Sequence, residues 1–181
     1  MILIWLTIQT VYAKKSGSIA APTAGLHFSN ELMTSIERNG IDIDYLTLHI
    51  GLGTFLPIKE NDIYKHKMHK ESFFIRRKLI EKIEKKKRRV IAVGTTSLRA
   101  IESRRPHAEY KDKWFETDLF IKDGFKFNFV NGLITNFHLP KSTLLILVSA
   151  FLGYQLTMKC YKRAIEERLN FYSYGDAMLI L

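Results

Sequence analysis

An α/β fold is the class this sequence predicts, and two observations point to it. Short apolar runs at residues 90–93 and 133–134 are of the kind buried on both faces of a parallel sheet. Each run delivers a turn rich in Gly, Thr, His or Asn, and each turn opens a helix-like segment. In α/β sheets and barrels, binding and catalytic groups gather at the carboxyl ends of strands. The turns at 22–27, 49–54, 94–97 and 136–141 are therefore expected to face one cleft.

The elements follow in order. Residues 1–13, MILIWLTIQTVYA, open apolar but lack a basic leading segment and are too short to span a bilayer. A β strand is expected there, so residues 1–12 are set apart as an atypical strand-like segment and 13–181 as an α/β domain. Ser29 is placed to cap a helix over 30–39, which Gly40 ends. Residues 41–50 read as a strand by apolar and β-branched content. Gly51 and Gly53 then permit a tight turn and close backbone approach to a ligand, although the full dinucleotide-binding glycine spacing is absent.

A second strand is expected at 72–75, then a helix over 78–89 with Leu79, Ile80 and Ile83 turned inward. The run 90–93 leads through Gly94 into Thr95, Thr96 and Ser97, which open a helix carrying Arg99 and Glu102. Hydroxyls at that strand end suit ribose or carboxylate oxygens; their ordinary role is capping. Residues 104–116 read as a flexible polar loop. Alternation at Phe125, Phe127 and Phe129 predicts a strand, and Asn131-Gly132 a hairpin turn returning into 133–151. There a strand turns at Asn136-Phe137-His138-Leu139-Pro140 and enters an apolar helix capped by Ser142. A further helix is expected over 157–168.

Charge sets the class of partner. With 28 Lys+Arg against 18 Asp+Glu, the 181-residue chain carries a formal +10. That excess favours a polyanion such as RNA, DNA or an anionic surface. His66, Lys67, His69, Lys70, Arg88 and Arg89 are the candidate RNA-binding residues. His66 and His69 have helical metal-ligand spacing but no further ligand, so no metal is expected. The lone Cys160 excludes an internal disulfide and suits a reducing cytoplasm. No membrane-spanning run, repeat or low-complexity tract is evident.

The turns themselves carry a resemblance. The strings are Ala20-Ala21-Pro22-Thr23-Ala24-Gly25-Leu26-His27-Phe28, His49-Ile50-Gly51-Leu52-Gly53-Thr54-Phe55, His66-Lys67-Met68-His69, Val93-Gly94-Thr95-Thr96-Ser97, Thr135-Asn136-Phe137-His138-Leu139-Pro140-Lys141-Ser142-Thr143 and Ser173-Tyr174-Gly175-Asp176-Ala177-Met178. In these strings and their order the chain resembles the S-adenosylmethionine:tRNA ribosyltransferase-isomerase family of the queuosine pathway. The likeness runs from about Gln9 to the last residue.

That resemblance implies a reaction which spacing alone does not supply. Such enzymes transfer the ribosyl part of S-adenosylmethionine to 7-aminomethyl-7-deazaguanine in tRNA and isomerise it, giving epoxyqueuosine and releasing adenine and methionine. S-adenosyl-L-methionine is then the ribosyl-donor substrate, and no separate cofactor is implied. The sulfonium acidifies the neighbouring ribose CH₂, so a neutral imidazole could take a proton and an acid could assist adenine departure. His27, His49 and His138 are the catalytic candidates, with base and acid unassigned. Thr23, Gly25, Gly51, Gly53, Thr54, Thr95, Thr96, Ser97, Arg99, Asn136, Lys141 and Asp176 are the substrate-binding candidates. Among them Thr95, Thr96 and Asn136 suit ribose or base edges, and Lys141 or Arg99 a carboxylate or phosphate.

The chain departs from the family pattern at Leu56, where an Arg is usual, and at Arg89, Glu116 and Asp123, where Gly or Pro are usual. Family members are also much longer, with an additional amino-terminal region and an inserted β-barrel domain. The resemblance thus implies an incomplete barrel-like domain of βα units, the carboxyl-terminal portion of the enzyme. Two rivals to an active enzyme stand beside it. One is a non-catalytic remnant that at most binds tRNA, and the other is one half of a split enzyme that pairs with a separately encoded amino-terminal fragment.

Overall fold

The computed structural model describes residues 9–18, 20–51, 58, 62–85, 89–104 and 112–181. Among these the strands are β1 (Thr47–His49), β2 (Glu71–Phe74), β3 (Ile91–Val93), β4 (Trp114–Thr117), β5 (Gly132–Asn136) and β6 (Ala177–Ile180). The helices are α1 (Asn30–Arg38), α2 (Arg77–Glu84), α3 (Thr95–Glu102), α4 (Thr143–Leu152) and α5 (Tyr154–Glu166), with short 3-10 turns at Thr23–His27 and Ile63–Lys65.

Two three-stranded sheets result. The first has the order β1-β2-β4 and is antiparallel throughout, with His49 opposite Ser72 and Glu71 opposite Thr117. The second has the order β3-β5-β6. In it β3 and β5 run parallel, Val93 opposite Ile134, while β6 returns antiparallel to β5. The class is therefore mixed α/β, as expected, but it is not a run of parallel βα units. Of the described strand pairs, β3 and β5 alone are parallel, joined across α3.

Local chemistry explains the elements that match expectation. Ser29 Oγ accepts from the Leu32 N–H at the start of α1, and Ser142 Oγ accepts from the Leu145 N–H at the start of α4. The sequence of α4, TLLILVSAFL, is apolar nearly all round, and Leu147 and Val148 are buried in the core. Its successor α5 follows after Gly153 at a bend of 115°. No single helix among the described residues is long and apolar enough to cross a membrane. Ile75, Leu98, Leu133 and Val148 are fully enclosed, which places the core between β5, α3 and α4.

Several expectations are corrected. The strand expected over 41–50 is confined to Thr47–His49, and the second begins one residue early, at Glu71. The run 90–93 is not buried on both faces: Ile91 is 42% exposed, because β3 lies at the edge of its sheet. Within the expected loop 104–116, Trp114–Thr117 forms a strand against β2.

The phenylalanine alternation produces no strand, and Asn131-Gly132 no hairpin. The Glu102 carboxylate instead accepts from the backbone N–H groups of Asn128, Phe129 and Val130 at 2.8–2.9 Å. Those donors are thereby withdrawn from any ladder. The Asn131 side chain accepts from the Val90 N–H, and Gly132 starts β5 directly.

Candidate active site

Four of the polar turns do converge. A cavity of about 410 Å³ is walled by Pro22, Thr23 and Ala24, by Leu48 and Ile50 around the end of β1, by residues 94–97, and by Asn136, His138, Leu139 and Pro140. The part of the second turn at 52–54, with Gly53 and Thr54, lies outside the described residues, as do Leu56 and Arg88.

Asn136 organises one wall. It ends β5, is 2% exposed, and its amide is held on both sides. Thr23 Oγ1 donates to Asn136 Oδ1 at 2.9 Å, and Asn136 Nδ2 donates to the Gly175 carbonyl at 3.3 Å. The same Nδ2 lies 3.4 Å from His27 Nε2. Because the Asn136 amide nitrogen can only donate, Nε2 is the accepting nitrogen and a neutral His27 carries its proton on Nδ1.

His138 forms the next part of the wall. Its backbone N–H donates to Tyr161 Oη at 2.9 Å, and its Nε2 lies 2.9 Å from Thr135 Oγ1. Burial without a neighbouring carboxylate pulls the imidazole down to about 4, so it is neutral at pH 7. Tyr161, also buried, is pushed up to about 12 and stays a phenol.

The opposite wall is the start of α3. Gly94 precedes it at φ +91°, a conformation side chains rarely adopt, and no atom would meet a Cβ there, so the requirement is conformational and not spatial. With no side chain capping this end, the first-turn N–H groups of Thr95, Thr96 and Ser97 add positive dipole potential beside the cavity. Thr95 and Thr96 are buried in the wall.

The other candidates lie elsewhere. His49 does not line the cavity, although its neighbours Leu48 and Ile50 do: its ring packs on Trp114 at 4.4 Å between centroids, on the other face of β1. His27 is exposed and reaches the cavity wall through Asn136. Arg99 is 2% exposed and pairs with Glu71, tying α3 to the first sheet away from the cavity. Burial lowers its pKa and Glu71 opposes that shift.

Lys141 is exposed, and its carbonyl accepts from the Ile58 N–H; its side chain is not part of the lining. The Asp176 carboxylate accepts from the Asn170 N–H, pinning the loop before β6. Gly25 serves packing, since a Cβ there would sit 2.0 Å from Tyr12 Oη, and Gly51 has open space around it.

Of the basic candidates, Lys67, His69 and Lys70 are exposed on the segment entering β2, and Lys70 pairs with Glu116 at 3.3 Å. His66 packs edge-on against Phe120, and Arg89 lines a second groove beside β3.

Sequence reasoning assigned no site role to Thr135 and Ser173, which lie in two of the family strings, and passed over Tyr172; all three are in the wall. Tyr172 has φ +78°, an outlier for a bulky residue, and its N–H donates to the Phe137 carbonyl. The signal available was its place just before the Ser173-Tyr174-Gly175-Asp176 string.

Comparison with known proteins agrees with the motifs. A family model described as queuosine biosynthesis protein matches residues 6–180. The S-adenosylmethionine:tRNA ribosyltransferase-isomerase of Francisella philomiragia is 54% identical over 175 residues, 95% of this chain and 52% of the relative. Its namesake from Halothermothrix orenii is 52% identical over 179 residues, 96% of this chain and 52% of the relative. A crystal structure of S-adenosylmethionine tRNA ribosyltransferase from Thermotoga maritima aligns with a TM-score of 0.68 at 37% identity, over 87% of this chain and 51% of that one. The chain spans about half the length of the curated relatives it matches. With the family model reaching across nearly all of it, and five of its six strings contributing to one cavity, the chain belongs to the queuosine biosynthesis protein family.

Proposed function

We propose that this chain carries the donor-binding cavity of an S-adenosylmethionine:tRNA ribosyltransferase-isomerase, acting on 7-aminomethyl-7-deazaguanine in tRNA to give epoxyqueuosine. The observation that carries this reading is the cavity itself, where family strings far apart in the chain meet around His138 and Asn136. Its walls offer hydroxyls from Thr23, Thr95 and Thr96 for ribose, and an open helix start for an electron-rich group. S-adenosylmethionine is here substrate, and no further cofactor enters the reading.

The histidine environments divide the roles. Neutral at pH 7, His138 is unsuited to act as an imidazolium acid and is left as a base or a neutral hydrogen-bonding group. Its low basicity makes it a modest base. His27 is exposed and tethered to Asn136.

Because the chain spans about half the relatives' length, a second reading is that turnover also needs the half it does not span. A tRNA substrate and a single cysteine both fit the cytoplasm.

Adenine release from S-adenosylmethionine, in the presence of tRNA bearing the 7-aminomethyl base, tests both readings. The chain alone is expected to turn over weakly or not at all, and activity to return on adding the amino-terminal part of a complete relative. In that mixture His138→Ala should lower turnover about 10²–10⁴-fold. If the complemented mixture releases no adenine while the full-length relative does, this chain is a remnant that at most binds tRNA.

A further inference from the structure

We infer that Tyr64, backed by Lys122, is a stacking platform for an unpaired RNA nucleotide next to the base that enters the cavity, an inference resting on the proposed tRNA substrate. The sheet register places it. The carboxyl end of β1 is His49, opposite Ser72 near the amino end of β2, and Glu71 lies opposite Thr117, the last residue of β4. The segment entering β2 (62–70) and the segment leaving β4 (118–122) therefore emerge at the same end of the sheet as Ile50, which lines the cavity.

These two segments meet in an aromatic and cationic cluster. Tyr64 sits in the 3-10 turn Ile63–Lys65, its N–H donating to the Asp62 carboxylate at 2.9 Å. The Lys122 ammonium lies 3.9 Å from the Tyr64 ring centroid and 5.6 Å from that of Phe120. Phe120 in turn meets His66 edge-on at 5.6 Å. Yet Tyr64 stays 70% exposed.

A ring this exposed gains little by burial, but a cation on it restrains it and leaves most of its surface open. Such a ring suits a nucleobase, since stacking on an aromatic tolerates any base and a nearby cation adds to it. Lys65 and Lys67, exposed on the same segment, are placed for the flanking phosphates. Neither Tyr64, Phe120 nor Lys122 lines the cavity, so the cluster is not explained by donor binding.

Fluorescence anisotropy with the full chain tests this, using a labelled RNA hairpin with an unpaired loop and a blunt RNA duplex of equal length across a salt series. Tyr64→Ala should weaken hairpin binding about 5- to 100-fold at every salt concentration, with the salt slope unchanged. Tyr64→Phe should bind like the parent chain, and duplex binding should not respond to either change. Lys67→Ala should instead lower the salt slope by about one on both RNAs. An unchanged melting temperature for Tyr64→Ala would confirm that the fold is retained. If the parent chain binds the hairpin and Tyr64→Ala binds it equally, or weakens the duplex as much, the platform is overturned and the substrate reading stands. If the parent chain binds neither RNA at low salt, both fall.

Discussion

Asn136 and His138 stand two residues apart, one at the end of β5 and one in the turn beyond it, and their surroundings assign them different work. The Asn136 amide is held by Thr23, Gly175 and His27, which fixes it as a wall for a ligand. His138 is held neutral, and that has a consequence for stability. In the unfolded chain its imidazole titrates near 6.5, whereas in the folded protein burial lowers it to about 4. Between those values the unfolded state binds a proton and the folded state does not. Stability therefore rises with pH through this window, is fully present above about pH 6.5, and is lost on acidification toward pH 4. Going from pH 7 to pH 5 should remove about 2 kcal/mol through this group. Urea unfolding at the two pH values should show that loss in the parent chain, and His138→Asn should reduce it by a similar amount. An identical pH dependence in the two proteins would mean that the buried neutral imidazole is not its source.

At the scale of elements, a single carboxylate replaces a strand. Glu102, at the end of α3, accepts from three consecutive backbone donors in the segment 128–130 and so positions the entry to β5. Glu102→Ala would leave buried amides without an acceptor and should cost about 3 kcal/mol or more. Hydrogen exchange gives the sharper check: protection at Phe129 and Val130 should disappear selectively, and its survival would show that another group holds the loop. Glu102 also marks where the sequence stops being legible. Helix starts were readable, because Ser29 and Ser142 act within three residues of themselves. The gathering of four turns around one cavity was readable, because strand ends collect in α/β folds. What could not be read depends on partners distant in sequence. Arg99 reads in the sequence as available to a substrate, but Glu71, 28 residues away, holds it. Alternation at Phe125, Phe127 and Phe129 has the period of a strand, but period says nothing of a remote carboxylate that takes the donors. His49 has the residue type and motif for catalysis, and the pleat of β1 turns it to Trp114 instead.

The whole molecule combines a strong positive charge with sheet edges that are open among the described residues, and these pull in opposite directions. Among the described residues, β1 and β4 bound one sheet and β3 and β6 the other. Exposed apolar side chains sit on three of those edges, with Ile91 at 42%, Trp114 at 43% and Leu179 at 57%. Beside β3 runs a groove of about 830 Å³ whose lining includes Ile41, Leu46, Leu79, Ile83 and Ile91. Unpaired edges flanked by apolar surface favour association between chains, while a formal +10 opposes it at low ionic strength. The Debye length falls from about 30 Å at 0.01 M salt to about 10 Å at 0.1 M, so the repulsion is screened as salt rises and apolar contact is not. The chain alone is thus expected to associate increasingly with salt. Light scattering over a concentration and salt series should show mass rising with both variables, and Ile91→Lys, which charges the β3 edge, should suppress that rise. A monodisperse monomer that ignores both variables, and behaves the same with Ile91→Lys, would show that these edges are closed to other chains in solution.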